Sequence, residues 1–189
     1  MDRTKRKKEL DLKIKIASAL AHIRMALYYN FEYNLFLGHS GGKDSQVILH
    51  LAKQIMPNII LIHNIKPMLG TSNSPLTEMD PKTLEFLYTV VAKEEIIYFV
   101  PTDKMKSFLQ QKQLFCQIDG SRISEADRNG KSSNFIKNRR NVNRKELRPY
   151  IQHGIFDLSI CYPIYDWTNQ DILDYIKLNN ISISKEYSA

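Results

Sequence analysis

The stretch Leu35-Phe36-Leu37-Gly38-His39-Ser40-Gly41-Gly42-Lys43-Asp44-Ser45 constrains this chain more than any other, because an apolar run breaks into a glycine loop bearing a lysine and an aspartate. Tyr33 to Leu37 reads as a buried strand, and Gln46-Val47-Ile48-Leu49-His50-Leu51-Ala52 as a helix with one apolar face. The loop is therefore a strand to helix turn. At such a turn the first helical N–H groups lack intrahelical partners and the helix dipole presents its positive end, so a bound anion is stabilised. Gly41 and Gly42 let backbone approach phosphate oxygens, Ser40 and Ser45 offer hydroxyls, and Lys43 adds a mobile positive charge. Gly38 to Ser45 does not supply the order of a Walker A loop, which needs two glycines followed by Gly-Lys-Ser/Thr at fixed spacing.

The rest of the chain supplies the sheet that such a loop needs. Leu10 to Tyr29 places Ile16, Leu20, Ile23 and Leu27 on one face, so an amphipathic helix over about 8–30 precedes the first strand. Asn58 to Ile65 reads as a second strand, Lys66 to Asp80 as a loop, and Lys82 to Glu94 as a helix with Pro81 in its first turn and Asp80 as cap. Ile96 to Val100, a helix over Asp103 to Gln111, and Leu114 to Ile118 follow. Thr168 is placed to cap a last helix whose apolar face holds Ile172, Tyr175 and Ile176, and Trp167 reads as core. Strands alternating with helices imply an α/β fold, a Rossmann-like three-layer sandwich with a mostly parallel sheet. At 189 residues with 43% hydrophobic content the chain suits a single domain over 1–189.

In such sheets ligands bind beyond the carboxyl ends of the strands. That rule brings the Gly38 to Asp44 loop together with the segments after Ile65 and Ile118. The latter reads Gly120-Ser121-Arg122-Ile123-Ser124-Glu125-Ala126-Asp127-Arg128, where Arg122 and Arg128 could each fork onto phosphate or sulfate oxygens. A salt-bridged helix start is the alternative reading of that stretch.

Composition excludes several classes. Cys116 and Cys161, without CxxC or histidine company, support neither a disulfide framework, a zinc site nor an iron–sulfur cluster, and they suit a reduced cytoplasm. Each sits in an apolar run and reads as core. No apolar run approaches the ~20 residues needed to span a bilayer. The formal charge of +7 favours anionic ligands. It is concentrated in Arg3, Lys5, Arg6, Lys7 and Lys8, read as a solvated arm, and in Lys131, Lys137, Arg139, Arg140, Arg144, Lys145 and Arg148. His39 and His63 read as neutral loop residues rather than general bases.

Ser-Gly-Gly-Lys-Asp-Ser at 40–45 resembles the PP-loop of the ATP pyrophosphatases, the adenine nucleotide alpha-hydrolase superfamily. Gly120 to Arg128 resembles the Gly-x-Arg-x-x-Glu-Ser-x-x-Arg element of the phosphoadenosine phosphosulfate (PAPS) reductase family within it, with Ala126 in place of serine. Pro163-Ile164-Tyr165-Asp166-Trp167-Thr168 is similar to that family's Pro-Ile-x-Asp-Trp-Thr segment. The resemblance implies a nucleotide-binding enzyme that uses ATP or a related adenine nucleotide, with attack at the α-phosphorus and release of pyrophosphate. It implies that Ser40, Gly41, Gly42 and Ser45 hold pyrophosphate, that Lys43 neutralises developing charge, and that Asp44 places Mg²⁺. Gly120, Arg122 and Arg128 would then hold the distal phosphate or second substrate.

Reductases of the family attack sulfur with a cysteine in a short C-terminal tail, whereas this sequence reaches Ala189 with no cysteine after Cys161. His63-Asn64-Ile65 also stands where Asp-Thr-Gly is common. Nucleotide recognition is thus implied more directly than reduction. Binding of PAPS or adenylylsulfate with sulfur transfer or reduction, with a thiol from a partner protein, is the second reading. The third is a nucleic-acid-binding subunit of a DNA- or RNA-modifying system acting through the basic clusters. A homodimer is compatible with all of them.

Overall fold

A computed structural model describes residues 3–30, 34–65, 81–122, 150–153 and 158–184. In chain order the described elements are α1 (Arg3–Tyr29), β1 (Asn34–Gly38), α2 (Lys43–Lys53) and β2 (Ile60–Ile65). A helical stretch, α3, follows as Pro81–Phe86, a π-helical turn Leu87–Val91 and a last turn Ala92–Glu94. Then come β3 (Ile97–Pro101), α4 (Met105–Gln111) entered through a 3-10 turn Thr102–Lys104, β4 (Leu114–Ile118), β5 (Tyr150–His153), β6 (Ser159–Cys161) and α5 (Asn169–Asn179). The strands form a six-stranded sheet in the order β3-β2-β1-β4-β6-β5. All neighbours pair parallel except β5, which runs antiparallel to β6 at the edge.

Strand parity sorts the apolar residues into two cores, because successive side chains leave a strand on opposite faces. Leu35, Leu37 and Leu61 join a large cluster with Ile23 of α1, Ile48 and Leu51 of α2, Leu87 of α3 and Ile172 of α5. Phe36 and Ile62 join a smaller cluster with Met105 and Leu109 of α4. Both faces of the sheet are covered, which explains why its central strands are apolar without alternation. The expected three-layer α/β architecture with a mostly parallel sheet is present.

Several local expectations need correction. The leading helix begins at Arg3 rather than near residue 8, so the basic start is helical and not a loose arm. Arg3 to Leu10 contains neither Gly nor Pro and is rich in Lys, Arg, Glu and Leu, which favour helix. The helix after Pro81 carries a π turn that no sequence signal marked. His63 lies inside β2 and is buried, so it is not a loop residue. Strands β5 and β6 were not legible, since β6 has only three residues, Ser-Ile-Cys. The proposed cap Asp80, the Lys66 to Asp80 loop, Arg128 and the second basic cluster lie outside the described residues.

The last helix starts as expected. Thr168 accepts from the Asp171 N–H while the Asp171 carboxylate accepts from the Thr168 N–H, a reciprocal capping box. Lys15 of α1 reaches the same carboxylate at 2.5 Å, fastening α1 to α5. Trp167, just ahead of the cap, is buried to 1% exposure and meets Tyr175 edge-on, with ring centroids 5.5 Å apart. No described helix is long and apolar enough to cross a membrane. Thr168→Ala should lower unfolding free energy by about 1 kcal/mol, with Thr168→Ser losing less, measured by urea denaturation. Equal midpoints for wild type and Thr168→Ala would show that the cap contributes nothing.

Candidate phosphate site

The loop after β1 and the loop after β4 lie side by side because β1 and β4 are neighbours while β2 departs to the other side of β1. This is the point where strand order reverses, the place where open α/β sheets bind ligands. His39 continues β1 by donating its N–H to the Ile62 carbonyl at 2.9 Å. Ser40 to Gly42 then turn the chain, and Lys43 opens α2 with Gly42 as its N-cap. The N-cap is a glycine with no side chain to occupy the start of that helix, and the dipole there favours an outside anion.

Gly41 is required by geometry. Its φ is +85°, and a Cβ there would come within 2.5 Å of the Thr83 methyl and 3.2 Å of Leu87 Cγ. Helix α3 therefore packs directly onto the loop and holds it against the sheet. Gly120 is nearly as confined, since a Cβ would lie 3.3 Å from the Asp44 carbonyl oxygen. The β4 loop rests in this way on the first turn of α2.

Three of the loop amides bond within the turn. The Ser40 N–H donates to Ser45 Oγ at 3.1 Å, the Gly41 N–H to His39 Nδ1 at 3.2 Å, and the Gly42 N–H to Ser40 Oγ at 3.3 Å. Ser40 and Ser45 also share a 2.7 Å hydroxyl contact. The loop thus holds its own shape beside the first turn of α2 and Lys43. Ser40 and Ser45, the expected ligands, also brace the turn.

Beneath the loop lies a buried histidine pair that sequence reasoning treated as incidental. His63 Nδ1 donates to the His39 carbonyl at 2.8 Å, and the His39 ring spans from the Gly41 N–H to the Gln46 side-chain amide, 3.2 Å from Nε2. A neutral ring accepts at one nitrogen only, so with Nδ1 accepting from the Gly41 N–H the proton sits on Nε2, and the Gln46 amide turns its oxygen toward it. Burial, and then the nearby His63, push His39 down to about 3. His63 is also lowered by burial, partly offset by its bond to the His39 carbonyl. Both are neutral, as expected, and they are supports of the loop.

Arg122 and Asp44 meet. Arg122 is buried to 3% exposure and its Nη2 donates to Asp44 Oδ2 at 3.0 Å, while Lys43 Nζ lies 3.7 Å from the same oxygen. Arg122 Nη1 reaches the Trp167 carbonyl at 3.5 Å. One guanidinium therefore joins the phosphate loop, the loop after β4 and the Asp-Trp-Thr segment. Arg122, expected to grip phosphate, also ties these site elements together. Asp44 Oδ1 is buried and has no hydrogen-bond partner.

That oxygen bears on the expected Mg²⁺. Magnesium is held by one or two carboxylates with phosphate and water completing the shell, and one unpartnered carboxylate oxygen beside a phosphate loop fits that donor set. Among the described residues no group of His, Cys, Asp and Glu could hold a metal by protein ligands alone. The two cysteines are buried and free, with burial raising Cys116 to about 12 and Cys161 higher still. Neither is poised as a thiolate.

Fold and loop together define an α/β protein of the PP-loop kind. The family model described as the phosphoadenosine phosphosulfate reductase domain matches residues 70–189, more than half of the chain, and the protein belongs to that family. That match begins beyond Ser40–Ser45, so the phosphate loop rests on its own residues and geometry. The PAPS reductase from Candida auris, solved as a phosphate complex, is similar in structure with a TM-score of 0.60 and 13% identity, covering 90% of this chain and 84% of that one. The U34-tRNA thiolase NcsA from Methanococcus maripaludis, solved with its [4Fe-4S] cluster, gives a TM-score of 0.55 at 13% identity, covering 92% and 67%. At these identities the likeness establishes the fold. No curated protein matches the sequence.

Two tests follow from this geometry. Removing Arg122 takes the closer charged partner from a partly buried carboxylate and leaves Lys43 at 3.7 Å, a loss of roughly 1.5–3 kcal/mol. Arg122→Ala should therefore lower the thermal midpoint by several degrees besides weakening anion binding, whereas Lys43→Ala should affect binding alone; an unchanged Arg122→Ala midpoint would remove the tie. For pH, a histidine with a depressed folded value binds fewer protons than its unfolded form. Its contribution is fully present above about 6.5 and is lost as pH falls from there toward 3. His39 should contribute a loss of about 2 kcal/mol between pH 7 and 5, and His39→Gln should show a shallower slope whatever its absolute stability. Parallel slopes would contradict the buried neutral ring.

Proposed function

We propose that this protein binds ATP or a closely related adenine nucleotide with its phosphates at the first turn of α2, and directs attack at the α-phosphorus with pyrophosphate as leaving group. The observation that carries this reading is the Ser40–Ser45 turn, placed at the reversal point of the sheet and leading into a helix with no side-chain cap. The helix amides and Lys43 stabilise charge on the pyrophosphate oxygens as the bond from the α-phosphorus to the bridging oxygen breaks. The acceptor's nucleophile takes the adenylyl group. Gly41 and Gly42 give the phosphates room, and Ser40 and Ser45 keep the turn in shape. Asp44 fixes Arg122 through one oxygen and would hold Mg²⁺ through the other. That ion would supply further neutralisation of phosphate charge. Gly120 and Arg128 belong to the loop that would meet the second substrate.

Membership in the PAPS reductase domain family supports a second reading, in which the nucleotide is PAPS and the chemistry is at sulfur. The buried, high-pKa thiols favour the first. Exposed Arg6, Lys7 and Lys8 on α1 remain open to an anionic partner such as nucleic acid.

The assay supplies Mg²⁺ and ATP with a panel of acceptor classes, small thiols and amines, tRNA and DNA, and follows pyrophosphate. Release should be lost in Lys43→Ala, with a decrease in nucleotide affinity of about tenfold to a hundredfold, and retained when Cys116 and Cys161 are both changed to Ser. No pyrophosphate above the Lys43→Ala background would refute the reading. Sulfite from PAPS and thioredoxin, dependent on a cysteine of this chain, would establish the second reading in its place.

A further inference from the structure

Helix α1 carries two apolar stripes, and the fold uses one. The stripe through Ala19, Ile23 and Ala26 is fully buried in the main core. On the opposite face, Leu10, Ile14, Ala17, Ala21, Arg24 and Tyr28 repeat at alternating steps of four and three residues, and every one is exposed. Leu10 is 58% exposed, Ile14 59% and Tyr28 75%. Alternating four and three is the heptad spacing by which one helix presents a seam to another. A helix that packs only on its own domain carries polar residues on the outward face, and no described element of the monomer covers this seam.

We propose that this face of α1 is the contact of a two-fold dimer, in which a second copy of the chain lays its α1 antiparallel on the first. Two features select that occupant. The seam is self-complementary about its middle: a two-fold register sets Ala17 against the partner's Ala21, Leu10 against the partner's Tyr28, and Ile14 against the aliphatic stem of the partner's Arg24. Small residues then meet at the centre, where helices can approach closely, and large ones close both ends over a seam of about 27 Å. Charge fixes the direction. Arg6, Lys7 and Lys8 are exposed at the start of α1, and its last turn carries no basic residue. An antiparallel pair places each basic start near the negative dipole end of the other helix, while a parallel pair would bring the two basic starts together.

This surface is separate from Ser40–Ser45, so its test does not depend on the nucleotide reading. Sedimentation equilibrium of the full chain at micromolar concentrations should give a dimer. Ala17→Glu combined with Ala21→Glu should raise the dissociation constant about tenfold or more, with an unchanged helical circular dichroism spectrum and unchanged nucleotide affinity. Ile14→Ser provides a milder variant should the double change disturb the helix, and should weaken the dimer in the same direction. Mixing Ala17→Cys and Ala21→Cys proteins should give more disulfide-linked heterodimer than either protein gives alone. A monomeric wild type, a dimer unaffected by these changes, or association that disappears on nuclease treatment would each overturn the proposal.

Discussion

The pairing of Arg122 with Asp44 is the contact on which the site depends. It spans elements far apart in sequence, the first turn of α2 and the loop after β4, and the same guanidinium reaches the carbonyl of Trp167. A phosphate loop carrying an aspartate would by itself repel its ligand. Set against Arg122 and Lys43, that carboxylate becomes the fixed point of a positive surround. A buried ion pair adds little to stability compared with an apolar replacement, but losing one member leaves an unpaired charge in the interior. Its value here is placement: it holds the β4 loop against Gly120's close approach to Asp44.

Support for the loop comes from below as well. Thr83 and Leu87 press on Gly41, and the neutral histidines His39 and His63 occupy the floor. Hydrogen bonds from the Ser40, Gly41 and Gly42 amides to side chains of the loop fix its curvature before any ligand arrives. Preorganised donors cost no rearrangement at the moment charge develops. Internal bonding belongs to the turn, and the ligand binding proposed above falls to the helix that follows it.

Much of this was legible because parallel strands announce themselves as continuous apolar runs and a glycine turn between strand and helix has few other uses. β4 was read to its observed ends, Leu114 to Ile118, and the cap at Thr168 followed from threonine ahead of an amphipathic run. What escaped was tertiary. The sequence places Arg122 near a phosphate loop but cannot show that its guanidinium turns inward to Asp44. His39 and His63 lie well apart in the chain, so their contact leaves no local pattern. The strand β6 is too short for periodicity, and it is ordered by pairing with β4.

The proposed function turns on nucleotide phosphate binding at the start of α2. A crystal structure of the protein grown with Mg²⁺ and a non-hydrolysable ATP analogue tests it most directly. The account predicts phosphate oxygens within hydrogen-bond distance of the first-turn amides of α2 and of Lys43 Nζ, with the Arg122 to Asp44 contact retained. Analogue bound elsewhere on the molecule, with the Ser40–Ser45 turn closed to it, would contradict the account.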